Sequence, residues 1–196
     1  MPIKKTDNEI PLSKDNGILP LKSKLKMTDQ DYNDLLKAVE NERVDNFIQE
    51  YQKKHTGVTR DEIISVAINK LIVGGGSPLI EKLLFINDNI TDISPLPITI
   101  LDQENNNTIS YALANDRGVE QLSSYMYRLK DRGKITEKFI MEDDLINKIA
   151  QAIIDYDYEY YTPKILIKKF IEPLYTEESV NNLIEVIGKD FIEDFY

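Results

Sequence analysis

Residues 107–129 read NTISYALANDRGVEQLSSYMYRL, and this stretch decides the fold that the sequence predicts. Its apolar residues fall at helical spacing on both sides of the polar segment 115–118, NDRG. Asn, Asp and Gly tolerate the left-handed backbone that ends a helix, and a glycine inside one continuous helix would cost about 1 kcal/mol. The stretch therefore predicts two short helices joined by a tight turn, with Ala112 as the small residue where they cross.

The composition indicates a folded, acidic chain. Its 196 residues are 41% hydrophobic and 30% charged, which suits one domain or a short repeat array. It has no cysteine, so disulfide and thiolate chemistry are excluded. A net charge of −10 argues against nucleic acid as the main ligand, and no apolar run approaches the roughly 20 residues that cross a bilayer. We expect another protein as partner, with no nucleic acid, no membrane span, no cofactor and no metal.

The chain divides into an arm and a body. Residues 1–27 carry a net charge of +3 and several prolines, which predicts a flexible N-terminal arm, with a short edge strand as an option at 21–27. Residues 28–196 form the expected single helical domain. Within it, residues 87–107 contain Pro95 and Pro97 and are expected to be an extended loop.

Helix starts are marked by Thr28, Thr59, Thr162 and Thr176, each followed by acidic residues or proline. Further helices are predicted from Ser77, after the glycines at 74–76, and over 142–155. In the last helix the apolar residues keep three-and-four spacing over four turns, from Val180 to Phe195, which predicts one continuous amphipathic helix.

A small or apolar residue recurs in the first helix of each predicted pair, at gaps of 29, 45, 40 and 34 residues: Ala38, Ala67, Ala112, Ala152 and Val186. The sequence allows either a turn at 41–43, after Ala38, or one long bent helix there. With that turn and the one after Ala112, this pattern resembles the ankyrin-repeat family over about residues 30–135. Leu35, Asn41 and Phe47 match in the first unit, and Ile109, Asn115 and Leu122 match in the third. The family's Thr-Pro-Leu-His tetrapeptide is absent, and Glu42 and Asp116 replace its turn glycine.

The resemblance implies an all-α fold, a short α-solenoid of stacked helical hairpins, with a helical capping part over about 140–196. It also implies a non-catalytic protein-protein interaction module that binds through loop tips and the faces of its first helices. The candidate protein-binding residues are Asn69, Lys70, Tyr111, Asn115, Arg117, Tyr156, Tyr158 and Tyr160. The three last-named tyrosines belong to the acidic-aromatic segment 155–161, DYDYEYY, and tyrosine is enriched at interface hot spots.

Two other functions are open. Residues 54–71 resemble the helix-turn-helix portion of ribbon-helix-helix repressors, with 21–27 as the ribbon, although the spacing is nearly twice what that fold uses and the chain is acidic. An enzyme would have to use carboxylates near the prolines or the tyrosines. His55 is the single histidine and its position indicates a helix end rather than a catalytic base. The carboxylates at 142–144 suit the first turn of a helix.

The C-terminal segment EVIGKDFIEDFY is acidic and apolar. It suits a capping helix, and it also resembles the C-terminal translocation signals of effectors from intracellular bacteria. The expected location is therefore the cytoplasm, or a host cell reached by a non-Sec route. The start, MPIKKTDNEI, lacks the apolar region of a Sec signal peptide.

Overall fold

A computed structural model describes residues 16–74, 93–115 and 117–194. The described residues form ten α-helices and no strand, which confirms the all-α class. The helices are α1 Asp29–Glu40, α2 Val44–Lys54, α3 Arg60–Gly74, α4 Leu96–Thr99, α5 Thr108–Leu113, α6 Gly118–Asp131, α7 Asp143–Ile154, α8 Pro163–Leu166, α9 Glu177–Ile187 and α10 Lys189–Glu193. A short π-helix, Ile167–Ile171, directly follows α8, and we call it the π-turn.

The predicted helix starts are confirmed, because each threonine side chain accepts a hydrogen bond from the first turn of its own helix. Thr28 and Asp31 form a reciprocal capping box at α1. Thr59 and Glu62 do the same at α3: the Thr59 N–H donates to the Glu62 carboxylate at 2.8 Å. Thr162 and Thr176 cap α8 and α9.

The short helix α5 lies at the centre of the body. It contacts α3, α4, α6 and α7, and all of its side chains except the half-buried Tyr111 are buried. The helix pair α5 and α6 confirms the two-helix interpretation of residues 107–129. Gly118 does not adopt the left-handed backbone expected of a helix-ending residue. It is the first residue of α6, and the positive φ angles of the described residues lie elsewhere. Asp116 lies outside the described residues.

The continuous C-terminal helix is a wrong prediction. Gly188, at φ +97°, ends α9 and separates it from α10. Val186, which the repeat alignment placed at a packing position, is 50% exposed. Phe195, the last residue of the apolar pattern, lies outside the described residues.

The loop predicted over 87–107 is described from Ile93, and it holds the one-turn helix α4 rather than extended chain throughout. Pro97 is accommodated in its first turn, where a proline N–H is not needed. The helix predicted from Ser77 lies outside the described residues.

The described part of the N-terminal arm, residues 16–27, runs along the body. Ile18 and Lys22 form isolated parallel bridges with Phe139 and Leu101, and the side chain of Ser23 is buried. The Ser23 hydroxyl donates to Glu62 at 2.7 Å. Residues 21–27 therefore form one isolated bridge, between Lys22 and Leu101, and not a strand.

Contacts also join parts of the chain that are far apart in sequence. Phe139 bridges both Ile18 and Tyr175, and the buried Asn107 amide donates to the Tyr175 hydroxyl at 2.8 Å. In a repeat array each unit contacts its neighbours. Here the N-terminal arm, the start of α5 and the segment before α9 are also joined by these longer connections.

None of the helices in the described ranges is long and apolar enough to cross a bilayer.

Candidate functional site: a groove between α5 and α7

The loop before α5 is organised by the Asp102 carboxylate. Its Oδ1 accepts the N–H groups of Glu104 and Asn106, both at 2.9 Å, and the Asp102 N–H donates to the Asn106 carbonyl at 2.8 Å. Asn105 takes a left-handed φ of +59° in this turn and donates to Asp144 of α7 at 2.8 Å. The loop is therefore tied across to α7 and stands as one wall of a groove.

Tyr111 projects from α5 toward this loop. Its hydroxyl donates a short hydrogen bond to Oδ2 of Asp102. Burial raises the pKa of the Tyr111 hydroxyl, and the Asp102 carboxylate and the Glu104 charge raise it further. The phenol is thus neutral, and it donates its proton to the Asp102 carboxylate.

The other wall comes from α7 and the residues that follow it. Lys148 reaches across and donates to the Glu104 carbonyl, while Gln151 donates to the Asp155 carboxylate at 2.9 Å. Asp155 ends α7, and Tyr156 follows it with a half-buried ring. We call this space the tyrosine groove; it has a volume of about 430 Å³ and is lined by Asn106, Ser110, Tyr111, Lys148, Asp155 and Tyr156, among others.

The remaining tyrosines of segment 155–161 sit at different depths. The Tyr156 and Tyr158 ring centroids are 5.6 Å apart, and Tyr158 meets Phe191 of α10 edge-on at 6.3 Å. Burial raises the pKa of Tyr158 to about 12, with a contribution from Asp155. Tyr160 is 77% exposed. The segment therefore packs on α10 at its middle and projects one ring into solvent.

Three of the other candidate residues lie on other parts of the surface, and the fourth, Asn115, lies next to the groove. Asn69 accepts a hydrogen bond from the Thr108 hydroxyl at 2.6 Å, at the contact of α3 with α5, and the Lys70 ammonium lies 4.6 Å from the Tyr32 ring centroid. Asn115 donates to the Tyr111 carbonyl at 2.6 Å, next to the groove. Arg117 is exposed before α6.

The structure thus brings together Tyr111 and Tyr156, which are 45 residues apart in sequence, with Asn115 and Tyr158 beside them. Sequence reasoning missed Asp102, Glu104 and Lys148. The run DQENNN at 102–107 carries a recognisable signal, because Asp and Asn side chains bond to the backbone two residues on and build tight turns. Nothing local in the sequence shows that this turn faces α7.

A second groove, the lysine groove, lies between the π-turn and α10. It has a volume of about 640 Å³; its apolar residues are Ile167, Ile184 and Ile192, and three lysines rim it, Lys164, Lys168 and Lys189. Glu172 and Glu193 also line it. Its lining charge is opposite in sign to the carboxylates around the tyrosine groove.

The residues weighed for catalysis take structural positions. His55 caps the C-terminal end of α2 and stacks on Tyr51 with ring centroids 4.2 Å apart, as its sequence position indicates. Asp143 and Asp144 occupy the first turn of α7. Across the described ranges, no three His, Asp or Glu side chains are grouped so as to hold a metal ion. Gly75 and Gly76 lie outside those ranges.

No protein-family model, no curated protein and no solved structure matches this chain.

Proposed function

We propose that this protein is a non-catalytic protein-protein interaction module and that the tyrosine groove is its contact surface. The observation that carries the proposal is the meeting of Tyr111 and Tyr156 in one open groove beside a rigid polar loop. Tyrosine supplies a large amphipathic contact area at low entropic cost and is enriched among the residues that dominate interface energies.

The rigidity of the groove supports the same function. Three hydrogen bonds to the Asp102 carboxylate hold the loop at 102–106, and further hydrogen bonds join this loop to α7. A partner would therefore meet a preformed surface. Binding to a preformed surface avoids the entropic cost of ordering side chains and loops. In this proposal the helical hairpins, stacked as in ankyrin-like proteins, serve as the scaffold that presents the groove.

A capture experiment with matched variants tests the proposal. The full-length chain is immobilised and exposed to native or host lysate, and retained proteins are quantified for wild type, Tyr156→Ala and Gln151→Arg. Gln151 lines the groove and is exposed, so the arginine should block entry without disturbing the core. We expect both variants to retain at least about tenfold less of a stoichiometric partner than wild type does. A loss of that size is typical when an interface hot spot is removed.

Tyr127→Ala and Gln30→Arg are the matched controls, because both residues are exposed and neither lines the groove. Retention of the partner by both controls is the expected result. If the groove variants bind as well as wild type while a control loses the partner, the contact surface is elsewhere and the proposal is wrong.

A further inference from the structure

The charges around the tyrosine groove are mostly negative. Asp155 lines it, Asp102 and Glu104 face the Tyr111 hydroxyl closely enough to raise its pKa, and Asp144 is bonded to the same loop. Lys148 is the one cation in the lining, and its ammonium is already held by the Glu104 carbonyl. A ligand entering the groove therefore meets carboxylates that exceed the local positive charge.

The aromatic residues add a second preference of the same sign. Tyr111 and Tyr156 both line the groove, and both side chains are half-buried. The face of a tyrosine ring attracts ammonium and guanidinium groups, by about 0.5–2 kcal/mol depending on exposure. Rings and carboxylates at one site are the chemistry that recognises a Lys or Arg side chain.

The charge of the whole chain acts in the same direction. With a net charge of −10, long-range attraction speeds the approach of a basic partner and slows that of an acidic one. We infer that the tyrosine groove binds a basic segment of the partner protein and seats one Lys or Arg side chain between Tyr111, Tyr156 and Asp155. This inference rests on the proposed function and adds the chemical class of the partner.

The test is a titration of the isotopically labelled full-length chain, followed by amide chemical shifts. The probe is a blocked pentapeptide that alternates glycine with arginine, and the matched probe has glutamate in place of arginine. We expect the arginine peptide to give saturable shifts at residues 102–111 and 148–156 in the millimolar range. The glutamate peptide should leave those residues unshifted, and the lysine groove is where its own shifts would appear.

Three variants distinguish binding at the tyrosine groove from general electrostatic attraction to an acidic protein. Asp155→Asn and Tyr156→Leu should each weaken the arginine peptide at least threefold. Asp190→Asn, which removes the same charge from an exposed position on α10, should leave the affinity unchanged. Equal weakening by Asp190→Asn, shifts spread over unrelated acidic residues, or no shift at millimolar peptide would each overturn the inference.

The two proposals fail in different ways. If the captured partner depends on the groove but binds through a segment without Lys or Arg, the proposed function stands and the basic-partner inference falls. If the arginine peptide binds the groove but the groove variants capture the partner as well as wild type does, the inference about ligand chemistry stands. The proposed interaction surface is then wrong.

Discussion

Gly118 is the residue at which α5 and α6 come closest. A Cβ built on it would lie 2.7 Å from the Cα and 2.9 Å from the carbonyl oxygen of Ala112, both backbone atoms. Backbone cannot swing aside as a flexible side chain does, so a methyl group there would push the two helices apart. The sequence predicts that Ala112 is the small residue that lets the two helices approach closely. In the structure the close approach depends on both Ala112 and Gly118.

We expect Gly118→Ala to lower the free energy of unfolding by about 2 kcal/mol, because overpacking outweighs the gain in helix propensity. Urea denaturation measures the change. Gly74→Ala is the control: Gly74 is also helical, but no atom of the described residues lies within 4 Å of an added Cβ, so that variant should be neutral or stabilised by up to about 1 kcal/mol. A stable Gly118→Ala protein would show that the helices separate without cost.

Glu42 adopts a left-handed backbone conformation, at a position after a helix where glycine is common. It sits at φ +56° after α1, and the bonds Glu42 N–H to Val39 carbonyl and Arg43 N–H to Ala38 carbonyl form a Schellman motif. Gly133, at φ +61°, ends α6 in the same way. A side chain in the left-handed region costs roughly 1–2 kcal/mol relative to the ordinary helical region, and glycine avoids that cost.

Glu42→Gly should therefore raise the free energy of unfolding by roughly 1 kcal/mol, and Gly133→Ala should lower it by a similar amount. Thermal unfolding of the two variants in parallel with wild type measures both. Destabilisation by Glu42→Gly would mean that the glutamate side chain makes a contact worth more than the relief of the backbone.

At the scale of elements, the start of α3 couples helix capping to the docking of the arm. Partial burial raises the pKa of the Glu62 carboxyl, but hydrogen bonds from the Thr59 N–H and from the Ser23 and Thr59 hydroxyls outweigh it and leave the pKa below its usual range. The ionised carboxylate therefore holds both the first turn of α3 and the arm.

A lowered pKa in the folded state means that Glu62 contributes stability above its unfolded value of 4.5, and that this contribution is lost as the pH falls through the folded pKa. We expect wild type to be more stable than Glu62→Gln at neutral pH and the difference to shrink as the pH drops below 4.5. Urea denaturation across that range, with amide exchange at residues 21–25 as a readout of the arm, measures it. A difference independent of pH would contradict ionisation as the cause.

Two elements show where periodicity alone misleads. The apolar pattern runs without interruption from Val180 past Gly188, yet Gly188 breaks the helix there at φ +97°. The residues after α8 wind into a π-turn, and Ile167, Phe170 and Ile171, which recur at helical spacing in the sequence, are buried there. Spacing therefore identified which side chains are buried, but not the exact winding of the backbone between them.

At the scale of the whole molecule, the Asn107–Tyr175 hydrogen bond connects the central helix α5 to the segment before α9. Both residues are almost fully buried, and Asn107 also caps α5 through the Ser110 N–H. Burial raises the pKa of the Tyr175 hydroxyl, so it stays neutral and accepts the Asn107 amide proton.

Tyr175→Phe leaves that amide proton without its acceptor, and we expect a loss of about 1–3 kcal/mol in the free energy of unfolding. Tyr32→Phe is the matched control, because the Tyr32 hydroxyl is buried without a hydrogen-bond partner in the described part of the chain. Removing it should be neutral or stabilising. Denaturant titration compares the two, and an equal loss in both would show that ring packing rather than the hydrogen bond is responsible.

The sequence by itself determined the helical class, the helix starts at Thr28, Thr59, Thr162 and Thr176, and the pairing of α5 with α6. These features follow from residues within one or two turns of each other, because capping and amphipathic spacing are local interactions. Only the tertiary structure decided that the 102–106 loop faces α7, that Tyr111 and Tyr156 share a groove, and that Gly118 touches Ala112. Those contacts join residues that are distant in the chain or depend on how closely two helices approach, and no local spacing encodes either distance.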